Sequence, residues 1–426
     1  MTQHIKDMLI KKGVTIILPD TVYISEDVSL DAISGNGVTI FPGCRITGDQ
    51  TLIMDHCNIG KEAPVTLEDC QLGAHCSLNG GFFQHSTFAG HNSFGACAHV
   101  RKGCILEEQA NAAHSVGLKQ TVLFPFVTLG SQINFCDCLM AGGTSRKDHS
   151  EVGSSFIHFN FTPNQDKATP CLMGNVHEGV MLNKPPVFLG GQGGMVGPCR
   201  IGFGCVTAAG SVIRKDELQE NRLIFGASFK EMSLATKPGI YSQVVRIYNS
   251  NIHYLAALVT LKAWYCHIRP LFFRQEHAAL LLKGMMRNLD ICFRERIKRL
   301  KDFKEKLLIS AGLLKKRSDN KTTSLIVSHE SVICAISSHC DSLESSFEGP
   351  FDLTADFERF SDAISSEMAQ QGIDSESAHI SYVETIQALS PETRQSGLQW
   401  LSSLHQPILD QCLIPVSNRE SSIRKK

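Results

Sequence analysis

Residues 188–216 read FLGGQGGMVGPCRIGFGCVTAAGSVIRKD, and this stretch decides the fold. Within it, a mostly apolar set of residues recurs at every sixth position: Leu189, Met195, Ile201, Thr207 and Ile213. A period of six matches neither a helix, with about 3.6 residues per turn, nor an isolated strand, with a period of about two. It is typical of a hexapeptide-repeat β-helix, in which three short strands and their turns form one triangular coil.

The same spacing recurs towards the N-terminus. Further ladders are Val22 and Val28; Ile40, Ile46 and Leu52; after a one-residue shift, Ile53, Ile59 and Val65; Leu72 and Leu78; Phe88, Phe94, Val100 and Leu106; and Leu129 and Phe135. One apolar side chain per hexad would point into a narrow prism and stack on its equivalents in the next coils, because no coil can bury its own face. We therefore predict a β-solenoid over residues 14–218, preceded by a short leader at 1–13.

Beyond residue 218 the pattern becomes helical. Apolar residues recur at three to four positions, which predicts amphipathic helices over 240–314 and a helical C-terminal region over 324–413. A polar linker is predicted at 315–323 and a disordered tail at 414–426. The basic section RERIKRLKDFKEK, residues 294–306, is interpreted as a solvated helix face, with contact to an acidic partner as the alternative.

Composition excludes several classes of function. The 426 residues include 41 Lys and Arg against 42 Asp and Glu, so no basic bias suggests nucleic acid. No apolar run approaches the ~18 residues of a membrane span. The N-terminus lacks the apolar core of a secretory signal, so the 16 cysteines indicate a reducing cytoplasm without disulfides.

Cysteines within the repeats are interpreted as small buried fillers: Cys44, Cys57, Cys70, Cys76, Cys97, Cys199 and Cys205. Cys136 and Cys138 form a C-x-C pair, but no second metal-like pair follows. We interpret this pair too as structural and predict no metal site.

Three segments carry a resemblance to a known family: HVRKGCIL (99–106), EVGSSFIHFNFTPNQDKAT (151–169) and the stretch 188–216. In that order, they resemble the arginine-bearing turn, the Asn-aromatic loop and the closing coils of one half of a bifunctional bacterial enzyme. This is the acetyltransferase half of the bifunctional N-acetylglucosamine-1-phosphate uridyltransferase/glucosamine-1-phosphate acetyltransferase. The resemblance covers the first 216 residues. It implies a left-handed β-helix that forms a homotrimer, with active sites between neighbouring prisms.

The resemblance also assigns ligand-binding roles by position. Arg101 and Lys119 would hold the phosphate of an amino-sugar phosphate or nucleotide sugar, for which both cations are suitable. The same pocket would be lined by Asn160, Phe161 and Lys167. Acetyl-CoA, or another acyl-CoA, would pack along the coils at Gly191 and Ala209.

The chain departs from the family at the catalytic base. The family has a histidine within K-A-G-H-L-x-Y, whereas the matching segment here is TLGSQINF, which puts Ser131 at the base position and Asn134 at that of the tyrosine. A serine cannot accept a proton near neutral pH without a partner base. His114, His149 and His158 are possible substitutes; a surface or structural role for each is the alternative.

Two functions remain open from the sequence. One is CoA-dependent N-acyl transfer to an amino sugar or sugar nucleotide. The other is a catalytically degenerate scaffold that binds a sugar nucleotide or supports assembly, which the Ser131 substitution and the long helical extension favour. The uridyltransferase half of the family, with its Gly-rich phosphate loop, is absent from the sequence, so pyrophosphorylase activity is not expected.

Overall fold

The structure is a computed structural model that describes residues 2–160, 167–226, 233, 235, 237–273, 277–316, 320–351, 353, 355–370 and 381–415. Short parallel strands in the first 224 residues wind into a three-sided left-handed β-helix, and helices follow it. The predicted fold class is confirmed. We name its three faces A, B and C in the order in which the chain meets them.

Most coils contribute one strand to each face; on face C the first and last coils have only the isolated bridges at Ile33 and Glu217. Face A contains Thr15–Ile16, Thr39–Ile40, Asn58–Ile59, Ser77–Leu78, Ser93–Phe94, Asn111–Ala112, Thr128–Leu129, Glu151–Val152, Phe188–Leu189, Val206–Thr207 and Leu223–Ile224. Face B contains Tyr23–Ile24, Arg45–Thr47, Val65–Glu68, Gly81–Gln84, Ala98–Val100, Ile157–Phe159, Gly194–Val196 and Val212–Ile213. Face C contains Leu52–Ile53, Gln71–Leu72, Ser86–Phe88, Cys104–Leu106, Cys171–Met173 and Cys199–Ile201.

Two longer strands, Gly117–Leu123 and Asn134–Met140, run through the corner between faces B and C and belong to both. They join the two faces into one 16-stranded sheet, whereas face A is a separate 11-stranded sheet. At the corner between faces C and A, an antiparallel hairpin, Gly143–Ser145 with Asp148–His149, projects from the coil.

The helices are α1 (Thr2–Lys12), α2 (Val176–Gly179), α3 (Val244–His267), α4 (Ala278–Lys315), α5 (Asn320–Glu348), α6 (Ala355–Gln370), α7 (Tyr382–Ala388) and α8 (Pro391–Cys412), with 3₁₀ turns at Pro19–Thr21 and Arg269–Phe272. The leader predicted at 1–13 therefore forms α1, whose Leu9 is fully buried in the main apolar core. Because α5 begins at Asn320, helix extends into the segment predicted as a linker at 315–323. The predicted tail lies outside the described residues from position 416 onward.

The predicted rungs fill the interior of the prism, with one exception. Residues such as Ile46, Val100 and Leu189 have no exposed surface. Leu52 is also buried, but it packs outside the prism against Leu281 of α4. Its neighbour Ile53 takes the inward position, because the chain shifts by one residue at this corner.

Helices α3 and α4 cover face C and are attached to it by buried polar groups. Arg269, fully buried in the turn after α3, pairs with Glu108 at 2.5 Å. Asn288 of α4 donates to the Thr87 hydroxyl at 2.9 Å. Such pairs fix the helices in one position, because an unpaired polar group in this interface would be costly.

The basic section at 294–306 is only partly a solvated face. Arg294 is 59% exposed and pairs with Asp290, as a surface residue would. Arg296 is 1% exposed and pairs with Asp137 of the β-helix at 2.6 Å. The interpretation is therefore wrong for Arg296, whose charge attaches α4 to the solenoid.

Most cysteines predicted to be buried fillers are buried, but Cys97 is exposed at a corner, where its φ is 61°. All 16 cysteines are free thiols in the structure. Among the helices of the described residues, none combines the length and the apolar character needed to cross a bilayer.

Candidate functional site

The edge between faces A and B brings together several predicted residues. We call it the AB edge and define it by the stacked corner residues 96–97, 114–115, 131–132, 154–155, 191–192 and 209–210. Backbone hydrogen bonds connect the corner residues of successive coils along this edge. For example, Gln132 N donates to His114 O at 3.1 Å, and Gly210 N donates to Gly191 O at 2.9 Å. Ser131, His114, Gly191 and Ala209 therefore share one edge of the prism.

Ser131 and His114 are in direct contact on this edge. The Ser131 hydroxyl lies 3.1 Å from Nδ1 of His114, and the Ser131 N–H donates to the hydroxyl of Ser154 at 3.2 Å. His114 is exposed and Ser131 is half-buried, so solvent or a ligand can reach both. An imidazole at hydrogen-bond distance is the kind of partner base that a lone serine lacks.

Arg101 and Lys119 form a second cluster, on the outer surface of face B towards face C. They occupy equivalent positions in successive coils, since Arg101 N donates to Leu118 O at 2.9 Å. Arg101 Nη2 also lies 3.9 Å from Sγ of Cys136, which is in register with Lys119. Burial raises the pKa of the Cys136 thiol, although the two nearby cations partly offset this effect.

Helix α4 contributes a carboxylate beside this cluster, which the sequence analysis did not find. Burial would raise the pKa of Glu295, but its pKa is lowered because Arg299 pairs with it and Lys119 and Arg296 lie nearby. Glu295 is therefore ionised close to the Lys119 ammonium. It has no signal in the sequence, because Glu295 is one of three acidic residues within the basic run.

The Asn-aromatic loop is described only at its two ends. The carbonyl of Asn160 accepts from the Thr169 hydroxyl at 3.4 Å, and the carbonyl of Lys167 accepts from Arg296 at 3.0 Å. Phe161, the remaining predicted pocket residue, lies outside the described residues. The helical extension thus holds the C-terminal end of this loop.

The other two candidate bases lie elsewhere. His158 is an inward rung between Phe135 and Met195, with Nε2 at 3.1 Å from Sγ of Cys171. Burial lowers its pKa to about 4. His149 lies in the hairpin at the opposite corner, 3.6 Å from the carboxylate of Glu151. Of the three substitutes considered, His114 alone lies beside Ser131.

These features define a class of fold: a left-handed β-helix built from hexapeptide repeats, with paired cations on one face and a Ser–His pair on one edge. The chain is similar to the bifunctional protein GlmU of Thermotoga maritima, with 27% identity over 209 residues, and to that of Trichlorobacter lovleyi, with 27% identity over 217 residues. The GlmU of Halalkalibacterium halodurans is 25% identical over 218 residues. No family model matches the chain.

These matches cover about half of this chain, 49–51%, but only 41–42% of each relative. They confirm the resemblance to the acetyltransferase half of the bifunctional enzyme. Each match spans 209–218 residues, so about half of the 426-residue chain lies outside it.

Proposed function

We propose that this protein transfers an acyl group from acyl-CoA to the amine of an amino-sugar phosphate or nucleotide sugar. The observation that carries the proposal is the 3.1 Å contact between Ser131 and His114 at the family's base position. It is supported by the position of Gly191 and Ala209 on the same edge, where the resemblance places acetyl-CoA.

In the proposed reaction, the acceptor amine attacks the thioester carbonyl. A carbon–nitrogen bond forms, the carbon–sulfur bond breaks, and CoA leaves as the thiolate. The Ser131 hydroxyl takes the amine proton while it passes its own proton to Nδ1 of His114. The imidazolium that forms then protonates the departing thiolate, which restores the starting state.

Arg101 and Lys119 would hold the phosphate of the acceptor on face B. Guanidinium and ammonium groups form charge-assisted hydrogen bonds with phosphate oxygens. The surface between this cation pair and the AB edge contains Gly117, which has no side chain to obstruct a sugar. Asn160, Phe161 and Lys167 belong to the same proposed pocket.

The proposal includes a homotrimer in a reducing cytoplasm. Helices α3 and α4 cover face C, so neighbouring prisms would meet through faces A and B. The outer surface of face A carries a column of exposed apolar residues in the last coils, Phe188, Val206 and Leu223. Sedimentation that gave a monomer would contradict shared active sites.

The test is acetyl transfer from acetyl-CoA to glucosamine 1-phosphate by the full-length protein. We expect His114→Ala to lower kcat by about 100-fold or more, the usual contribution of a general base. Ser131→Ala should also lower kcat, whereas His56→Ala, at an exposed corner away from the AB edge, should leave it unchanged.

Two results would overturn this assignment. Full activity of the His114→Ala variant would exclude the Ser–His pair as the general base. Binding of UDP-N-acetylglucosamine without binding or turnover of any acyl-CoA would instead support the scaffold function.

A further inference from the structure

A cavity of about 320 Å³ lies between the last coils of the β-helix and the helical extension. It is on the face C side of the prism, away from the AB edge. Four aromatic rings line it: His177 of α2, Phe203 after the strand Cys199–Ile201, His253 of α3 and His405 of α8. Small-molecule sites usually have volumes of about 300–1,000 Å³, so this cavity suits a small ligand.

The hydrogen bonds of the imidazoles leave polar atoms available. The Thr260 hydroxyl donates its single proton to the carbonyl of Ala256 at 2.8 Å, so Nδ1 of His405, 3.3 Å away, must donate to Thr260. Nε2 of the neutral His405 ring therefore carries a lone pair. Within the described part of the chain, Nδ1 of His177 is buried without a partner.

The three rings are neutral at pH 7. Burial, together with the nearby Arg200 and His405, lowers the pKa of His253 to about 3. Burial and the neighbouring His177 lower that of His405 to about 4, and burial also lowers the pKa of His177. Each ring therefore offers one donor and one acceptor rather than a positive charge.

The charged groups around the cavity are already paired with one another. Arg200 donates through Nε and Nη2 to the carboxylate of Asp216, at 3.1 and 3.0 Å. Lys184 lies 2.6 Å from Glu178 and 3.1 Å from Glu220. A phosphate would have to break one of these pairs and would meet two carboxylates, so the cavity does not suit an anion.

The geometry also argues against a metal ion. Over the described ranges, the one group of three or more potential ligand side chains whose atoms lie within 4.8 Å of one another is Glu68, Asp69 and His85, at a different corner. The rings of His177 and His405 are 5.5 Å apart and tilted by 49°. The three imidazoles do not converge on one point, but they present ring faces and polar edges.

We propose that this cavity binds an uncharged nitrogen heterocycle of the nucleobase type. Such a ring stacks on imidazole and phenyl faces and carries both donors and acceptors at its edge. Nε2 of His405 would accept from it, and His253 and His177 would supply the remaining hydrogen bonds. The heterocycle could come from a free nucleoside or from the base of a larger nucleotide. This site is separate from the proposed acyl-transfer site.

Calorimetric titration of the full-length protein with adenosine and uridine tests the proposal. We expect one site per chain for at least one nucleoside, with changes in the imidazole ¹⁵N resonances of His253 and His405. The 5′-monophosphate should bind no more tightly than its nucleoside, since Arg200 and Lys184, the cations that the described residues place at the cavity, are both paired. A larger nucleotide that binds more tightly than the nucleoside, while the 5′-monophosphate does not, would identify the larger molecule as the source of the heterocycle. Tighter binding of the monophosphate itself would contradict the proposal.

His253→Phe keeps a ring but removes its nitrogens, and we expect it to weaken nucleoside binding about tenfold, as the loss of one hydrogen bond would. His56→Phe is the matched control and should bind as the native protein does. No binding of either nucleoside at millimolar concentration would overturn the proposal. Binding of Zn²⁺ alone, or of inorganic phosphate alone, at these histidines would also overturn the proposal. Because these titrations use the native protein, they remain decisive even if His253→Phe fails to fold.

Discussion

The guanidinium of Arg296, in the helical extension, lies 2.6 Å from the carboxylate of Asp137, on the β-helix, and both side chains are almost fully buried. The same guanidinium reaches the carbonyl of Lys167 at 3.0 Å. One buried ion pair thus connects α4, the corner between faces B and C, and the end of the Asn-aromatic loop. Removing one partner leaves the other charge buried and unpaired, which costs about 3–5 kcal/mol.

Arg296→Leu and Asp137→Leu should therefore each lower the free energy of unfolding by about 3–5 kcal/mol. The double variant should lose less than the sum of the two, because it leaves no lone charge. Urea unfolding measures all three. Arg294→Leu is the control: its exposed pair should cost no more than about 1 kcal/mol, and an equal loss there would contradict this account.

Alanine substitutions at two glycines of α4 should change the stability of the protein in opposite directions. A Cβ at Gly284 would come within 2.1 Å of Oε1 of Gln71 and 2.8 Å of Oγ1 of Thr87. Gln71 is buried and hydrogen-bonded to Gln50 and Thr87, so it cannot simply move aside. We expect Gly284→Ala to destabilise the protein by about 1–3 kcal/mol.

Gly312 is the matched control for Gly284, because nothing lies within 4 Å of its added Cβ. Gly312→Ala should stabilise the helix by about 0.5–1 kcal/mol, the usual gain from glycine to alanine. Thermal unfolding of the two variants would show shifts of opposite sign. Shifts of the same sign would mean that α4 does not approach face C as closely as the structure shows.

Glu107 predicts a pH dependence. Burial raises its pKa to about 7, with Glu108 adding to this effect and Arg269 and the Tyr265 hydrogen bond opposing it. The folded state thus holds this proton more tightly than the unfolded state. The contribution of Glu107 to the free energy of unfolding is therefore fully present below about pH 4.5 and is lost as the pH rises through 7.

Glu107→Gln imitates the protonated form and should remove this loss. Its gain in unfolding free energy over the native protein should be small at pH 4.5 and of the order of 3 kcal/mol at pH 8. Denaturant unfolding across this range is the measurement. Parallel pH profiles for the two proteins would show that Glu107 titrates as an ordinary carboxyl.

His158 predicts the opposite behaviour in acid. Burial lowers its pKa to about 4 from an ordinary value of 6.5, so the unfolded state takes up the proton first. Stability should fall as the pH drops from about 6.5 to 4. His158→Met should reduce the loss between pH 7 and pH 5 by about 2 kcal/mol, and an unchanged loss would assign the acid sensitivity to other groups.

Gly117 tests where the acceptor lies. The nearest atom to an added Cβ is 3.8 Å away, and no positive φ is involved, so side chains fit there without strain. Gly117→Leu should leave the unfolding midpoint almost unchanged and raise the KM for glucosamine 1-phosphate at least about tenfold, because the side chain would occupy the proposed sugar surface. An unchanged KM would move the acceptor off face B.

The hexad spacing was sufficient to predict the solenoid, because each apolar residue on the ladder has one place to go. The same rule failed at Leu52, where burial comes from α4 rather than from the prism. Apolar periodicity reports that a side chain is buried, not which element buries it. This is also why His158 could not be recognised as a rung: an imidazole inside an apolar column has no signal in the pattern.

The edge residues were predictable only through the family resemblance. It pointed to position 131, whereas the contact with His114 depends on the stacking of two corners 17 residues apart. The docking of the helical extension could not be predicted, because Arg296 looks like any other residue of a basic helix. The aromatic cavity likewise combines histidines from three helices that are distant in the sequence.

The attachment of α4 along the prism limits where the β-helix could gain an additional coil. Its polar contacts run from Asp69, through Thr87 and Gly103, to Asp137, meeting the solenoid coil by coil. A solenoid by itself could lengthen by duplicating a repeat, but an extra coil inside this span would put every later partner out of step with the helix. The number of coils between Asp69 and Asp137 is therefore fixed by the helix that packs along their outside.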